Sequence, residues 1–123
     1  GPYLQYTHAR IFGIIRKAGE ENREIDKAAF AEIKLTPEGL AVLRKLQQFP
    51  EVIKQVGNEY LPNILTTYLF ELAQTFNTFY QNVPVLKEED KKKKLFRLNL
   101  IEATAQILRN GLFLLGIEAP EEM

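Results

Sequence analysis

Apolar residues recur at helical spacing along nearly the whole chain. In the first segment, drawn at about 100° per residue, Leu4, His8, Ile11, Phe12 and Ile15 share one arc and Tyr3, Tyr6, Arg10, Gly13 and Lys17 share another. The first arc is a core face. The second is a stripe that the core does not need, and it sets two phenol rings beside a guanidinium and an ammonium. A first helix is predicted over residues 3–18, stopped by Gly19, where a left-handed cap is open to glycine. Residues 20–35 mix charge with Ile25, Phe30 and Ile33 without sustained helical spacing, which predicts an ordered, irregular connector with at most one helical turn.

Thr36-Pro37 then reads as an N-cap followed by the first helical position, where the missing proline N–H has no cost. Leu40, Leu43 and Leu46 give that second helix its buried side, and it is expected to end before Pro50. Because the residue before a proline is pushed out of the α region, Pro50 and Pro62 are each expected to open a further helix. The third is short, with Val52, Ile53 and Val56 inward. The fourth, over 62–81, buries Leu65, Leu69, Leu72, Phe76 and Phe79. A loop follows with Pro84, and Glu88, Glu89 and Asp90 complement the positive end of a fifth helix. Its seam of Leu98, Ile101, Ala105, Leu108, Leu112 and Leu115 runs through Asn110-Gly111 to a cap at Gly116, and residues 117–123 are expected to lie back over the bundle. The pattern predicts an all-α, single-domain bundle of about five helices.

Composition narrows the class. A chain of 123 residues buries about two-thirds of its unfolded surface, enough for one core without staples. Without cysteine there is neither a disulfide nor a thiolate metal site, which suits a reducing compartment. No apolar run is long enough for a bilayer and no signal-peptide pattern is present, so the expected location is cytoplasmic, with no membrane partner. The first residue is not methionine and the helical pattern is already running at Tyr3, so an excised piece of a longer protein is expected. Gly1-Pro2 reads equally as native sequence or as a cleavage remnant. Sixteen basic and 16 acidic residues cancel, whereas domains that bind mainly through phosphates are usually basic. Any RNA affinity of this chain alone is therefore expected to be weak.

Candidate chemistry is of the binding kind. Lys91–Lys94 is read as a solvated helix surface in preference to a phosphate site, and the lone His8 as a core histidine with a local hydrogen bond. No serine or cysteine is present to act as its nucleophile. There is no glycine-rich phosphate loop and no His-x-x-His pair, so no catalytic or metal-binding residue is assigned. Phe70, Phe76 and Phe79 have core spacing. Tyr80, at the end of a helix beside a proline-containing loop, is balanced between packing and binding.

The segments GPYLQYTHAR (1–10), TYLFELAQTFNTFY (67–80) and ILRNGLFLLGI (107–117), with the tail APEEM, resemble the C-terminal anticodon-binding domain, of the DALR type, of arginyl-tRNA synthetases. The resemblance covers residues 1–123 and implies a helical bundle that receives the anticodon loop of arginine tRNA. It implies that a separate class I Rossmann-fold domain of the same chain uses ATP with magnesium to activate arginine. The ATP-binding His-Ile-Gly-His and Lys-Met-Ser-Lys-Ser signatures of that domain are absent here, so no cofactor is expected in this piece and no DNA partner. Carried over residue by residue, the anticodon contacts fall on Tyr6, Arg10, Tyr80 and Met123, with Tyr3 a weaker candidate; for Tyr80 the resemblance favours binding. The family tail usually has arginine where this chain has Glu122, and Val83 stands where many relatives have cysteine, a position read as packing only. Every arginine anticodon has cytosine in its middle position, and a splayed base can be stacked on tyrosine and read along its Watson–Crick edge. The alternatives are a helical protein–protein module with the tyrosines as anchors, and the corresponding domain of another class I synthetase, cysteinyl first.

Overall fold

A computed structural model describes residues 2–19, 33–59 and 61–123. Among them are four helices: α1 (Pro2–Ala18), α2 (Pro37–Glu59), α3 (Pro62–Asn82) and α4 (Lys91–Leu114). Helix α3 packs against α2, α4 and α1; α1 also packs on α4 but, among the described residues, does not meet α2. Most of the predicted connector, residues 20–32, lies outside the described residues, and its last positions, 33–35, carry no helix.

The helix ends follow from the chemistry of their residues. Gly19 takes a φ of 75° directly after α1. Thr36 caps α2, its hydroxyl accepting from the Gly39 N–H at 3.0 Å. Asp90 caps α4, accepting from the N–H groups of Lys92 and Lys93 at 3.0 and 3.1 Å. Those bonds, led by that from Lys93, hold its carboxyl below the usual carboxylate range. At the far end of α4, Gly116 (φ 75°) donates to Phe113 O at 2.9 Å and Ile117 to Leu112 O at 2.8 Å, the double bond pattern of a glycine-terminated helix. The helix therefore stops at Leu114, one residue before the predicted end.

The count of about five helices is corrected at Pro50, which sits inside α2. A proline lacks the N–H of the helical ladder and crowds the carbonyl four residues back, which is why a boundary is expected there. Here the neighbouring turn, one residue before the affected Leu46 carbonyl, is held from outside. The Lys45 carbonyl accepts from the buried Tyr68 hydroxyl of α3, and the Phe49 ring lies 5.9 Å from that of Tyr68. Val42 is the fully buried apolar residue of α2, whereas Leu40, Leu43 and Leu46 are only half-buried, because α2 lies on the outside of the bundle.

The core matches the predicted seams of α3 and of α4 as far as Leu112, whereas Leu115 and the predicted α1 core residues Phe12 and Ile15 are only half-buried. Leu65, Leu69, Leu72, Phe76 and Phe79 of α3 meet Leu98, Ile101, Ala105, Leu108 and Leu112 of α4, and Leu4, Ile11 and Ile14 of α1 close the cluster. Each fully buried side chain of this size contributes about 1.5–3 kcal/mol of transfer free energy. Phe70 departs from the core reading: it is 38% exposed and stacks on Tyr3, with centroids 5.3 Å apart.

Candidate nucleic-acid interface

Burial of Leu4, His8 and Ile11 turns the second stripe of α1 outward. Tyr6 is 58% exposed, and Arg10 and Lys17 lie on the surface with it. A shallow cleft of about 440 Å3 opens along this stripe, lined by Tyr6, Ala9, Arg10 and Arg16 of α1 and by Glu121, Glu122 and Met123 of the tail. Met123 is 62% exposed.

Tyr80 joins this cluster from α3. Its half-buried ring stacks nearly parallel to Phe76 at 6.1 Å and 12°, and the Arg10 guanidinium carbon lies 5.2 Å from its centroid. Arg10 also donates from Nη1 to Asn77 Oδ1 at 3.0 Å, and Asn77 Nδ2 donates to the Tyr3 hydroxyl at 3.0 Å. Tyr6, Arg10 and Met123 therefore share the cleft itself, Tyr80 adjoins it through Arg10, and Tyr3 is linked one step further out through Asn77. Asn77 and Arg16 escape a reading that follows one helix at a time. Phe70, Asn77 and Tyr80 are spaced seven and three apart, an outer stripe on α3 facing that of α1, and that spacing is the signal which finds Asn77.

The tail is fastened along α1 by groups far apart in sequence. Gln5 Nε2 donates to Glu118 O at 3.0 Å, and the Arg16 guanidinium donates to Glu121 O at 3.3 Å. Arg109 of α4 pairs with the Glu121 carboxylate at 3.4 Å and lies 5.1 Å over the Phe12 ring. His8, fully buried, places Nδ1 2.7 Å from Pro120 O. A carbonyl only accepts, so Nδ1 carries the hydrogen. The bond spans 112 residues, which corrects the expectation of a local partner. His8 Nε2 is buried with no hydrogen-bond partner. Burial pushes the imidazole below its ordinary pKa, Arg109 adds to that, and the Pro120 bond and Glu121 oppose it.

This arrangement suits a flat, polar-edged group. An open phenol, an arginine over a second phenol and a flexible thioether surround a space that backbone groups of the tail can edge with hydrogen bonds. Two arginine and two glutamate side chains line the cleft, so it is not a basic patch. Lys91, Lys92 and Lys93 are exposed at the start of α4, as a solvated surface requires. Val83 is buried, in keeping with a packing role. Among the described residues no helix is long and apolar enough to cross a membrane.

The DALR anticodon binding domain family matches residues 4–123 of the chain. The arginine–tRNA ligase of Thermococcus sibiricus is 45% identical over 99% of this chain and 19% of its own length. That of Bacteroides thetaiotaomicron is 37% identical over 100% of this chain and 21% of its own. The solved structure of Thermus thermophilus arginyl-tRNA synthetase superposes with a TM-score of 0.86 at 37% identity, covering 100% of this chain and 21% of that one. The chain spans about one fifth of the length of the curated relatives it matches.

Proposed function

This chain belongs to the DALR anticodon binding domain family, and from that premise we propose that it receives the anticodon loop of arginine tRNA in the cleft between α1 and the tail, beside Tyr80 of α3. The observation that carries the reading is convergence. Tyr6, Arg10 and Met123, from opposite ends of the chain, line one cleft, and Tyr80 of α3 adjoins it with its ring 5.2 Å from the Arg10 guanidinium. That leaves the Tyr6 ring and the guanidinium to meet a base. In this reading the middle cytosine leaves its stack, packs on tyrosine, and has its polar edge met by backbone groups near Tyr80 and the C-terminus. Arg10 favours the anionic loop and orders the Tyr80 ring face. Tyr3 acts at the margin.

The chain supplies recognition to an arginine–tRNA ligase of the cytoplasm. Activation of arginine with ATP and magnesium, and transfer to the tRNA end, belong to the remaining four-fifths of the parent. Titration of the chain with an arginine tRNA anticodon stem-loop tests this directly. A stem-loop with cytosine in the middle is expected to bind at least tenfold more tightly than one with uracil there. Equal binding of the two would remove anticodon reading, and absence of binding to either would return the tyrosines to a protein interface.

A further inference from the structure

Asn77 is half-buried on α3, outside the core, and its amide is committed on both sides. Oδ1 accepts from Arg10 Nη1 at 3.0 Å, while Nδ2 donates to the Tyr3 hydroxyl at 3.0 Å and lies 3.5 Å from the Thr7 hydroxyl. Chemistry fixes this orientation, since a guanidinium only donates and a flipped amide would set N–H groups against it. The amide thus ties together two side chains of the α1 stripe that stand two turns apart, and ties both to α3. Each tied group also rests on an aromatic ring of α3: Arg10 on Tyr80 at 5.2 Å, Tyr3 on Phe70 at 5.3 Å. An exposed arginine otherwise samples many rotamers, and ordering it beforehand removes that cost from binding.

We propose that Asn77 is a positioning residue for the anticodon cleft: it holds Arg10 over Tyr80 and Tyr3 against Phe70, and sharpens base recognition without itself touching RNA. The proposal rests on the reading of the cleft given above, and its test separates the two. In the 123-residue chain, Asn77→Ala is expected to weaken binding of the cytosine-containing stem-loop about 5- to 30-fold. In an Arg10→Ala background the same change is expected to cost no more than about twofold, because its effect runs through Arg10. Circular dichroism should stay helical in every variant. A readout free of RNA is the NMR signal of the Arg10 guanidinium: hindered rotation in the parent chain, free rotation in Asn77→Ala, and hindered again in Asn77→Asp, which keeps an acceptor for it.

Losses that multiply fully in the double variant would place Asn77 against the RNA and overturn the positioning role. Unchanged binding by Asn77→Ala would overturn it too. If the parent chain ignores the middle base, the anticodon reading fails, and the guanidinium signal alone then decides: Arg10 equally hindered in Asn77→Ala and the parent sinks the proposal.

Discussion

Tyr6 exposes more than half of its surface beside the cleft, so its ring can serve a base with little loss to the core if removed. Stacking of a base on an aromatic ring is worth about 1–3 kcal/mol by alanine substitution, so Tyr6→Ala is expected to weaken stem-loop binding about 5- to 150-fold with the thermal midpoint preserved. A fall in stability with RNA binding intact would make the ring structural. His8 makes the opposite case, a polar residue whose work is internal. Its pKa is lowered in the fold, so the unfolded chain takes up a proton first as pH falls below about 6.5. Its contribution to stability is thus complete above that value and is lost as pH drops toward the folded pKa. Thermal midpoints between pH 8 and pH 5 should fall more steeply for the parent chain than for His8→Gln, and parallel slopes would dismiss the effect. At this scale Tyr3, Tyr6 and Arg10 of the candidate site were legible in the residues themselves, because the core arc of α1 leaves a second arc unexplained, whereas Met123 and the binding reading of Tyr80 came through the family resemblance. The partners of Asn77 and of His8 were not legible, since both sets of bonds join residues brought together only by folding, 67 to 112 positions away.

Helices meet here at two contacts of very different legibility. In α4, a Cβ built on Gly111 would come within 2.6 Å of Leu69 Cδ2 and 2.7 Å of its Cδ1, and Leu69 is wholly buried in α3. The absent side chain is what lets α3 and α4 approach. Gly111→Ala gains up to about 1 kcal/mol of helix propensity but forces an overpacked core, costing about 1–3 kcal/mol. Net destabilisation is expected in denaturant titration, relieved when Leu69→Val is added; a more stable single variant would show that the interface can yield. The seam through Asn110-Gly111 was readable from its three-and-four spacing, but the close approach was not. Pro50 misled for a related reason: its local preference to begin a helix is real, and the neighbouring turn is secured by Tyr68 from another helix. Burial raises the Tyr68 phenol to about 12, so the fold keeps its proton while the unfolded chain loses it near 10. Stability should be unaffected by this group below pH 10 and fall by up to about 3 kcal/mol as pH rises from 10 toward 12. Tyr68→Phe should cost about 1 kcal/mol at neutral pH and lack that added alkaline loss. An identical alkaline profile in the variant would assign the loss to other groups.

Across the whole molecule, the balanced charge and the fastened tail bear on the same question, how a neutral domain would hold the anionic loop proposed for it. With 16 charges of each sign, counterion release offers little general attraction, so affinity must come from the local shape and chemistry of the cleft. Three of the seven residues lining that cleft belong to the tail. A terminus normally frays, yet residues 118–121 are pinned through Gln5, His8, Arg16 and Arg109, so that Met123 emerges beside Tyr6 and Arg10. The return of residues 117–123 over the bundle was expected from the sequence although such a tail has little structure of its own; the chain of anchors was not legible, because each anchor sits on another element. Two truncations separate holding from reading. Removal of Met123 alone leaves every anchor in place and should weaken stem-loop binding several-fold with stability unchanged. Removal of residues 117–123 also takes away the carbonyl that His8 holds and the carboxylate that pairs with Arg109. It should cost about 1–3 kcal/mol of stability through the unpaired buried imidazole, and weaken binding further. Binding by both truncated chains equal to that of the full chain would show that the tail packs on the domain without reading RNA, and the site would contract to Tyr6, Arg10 and Tyr80.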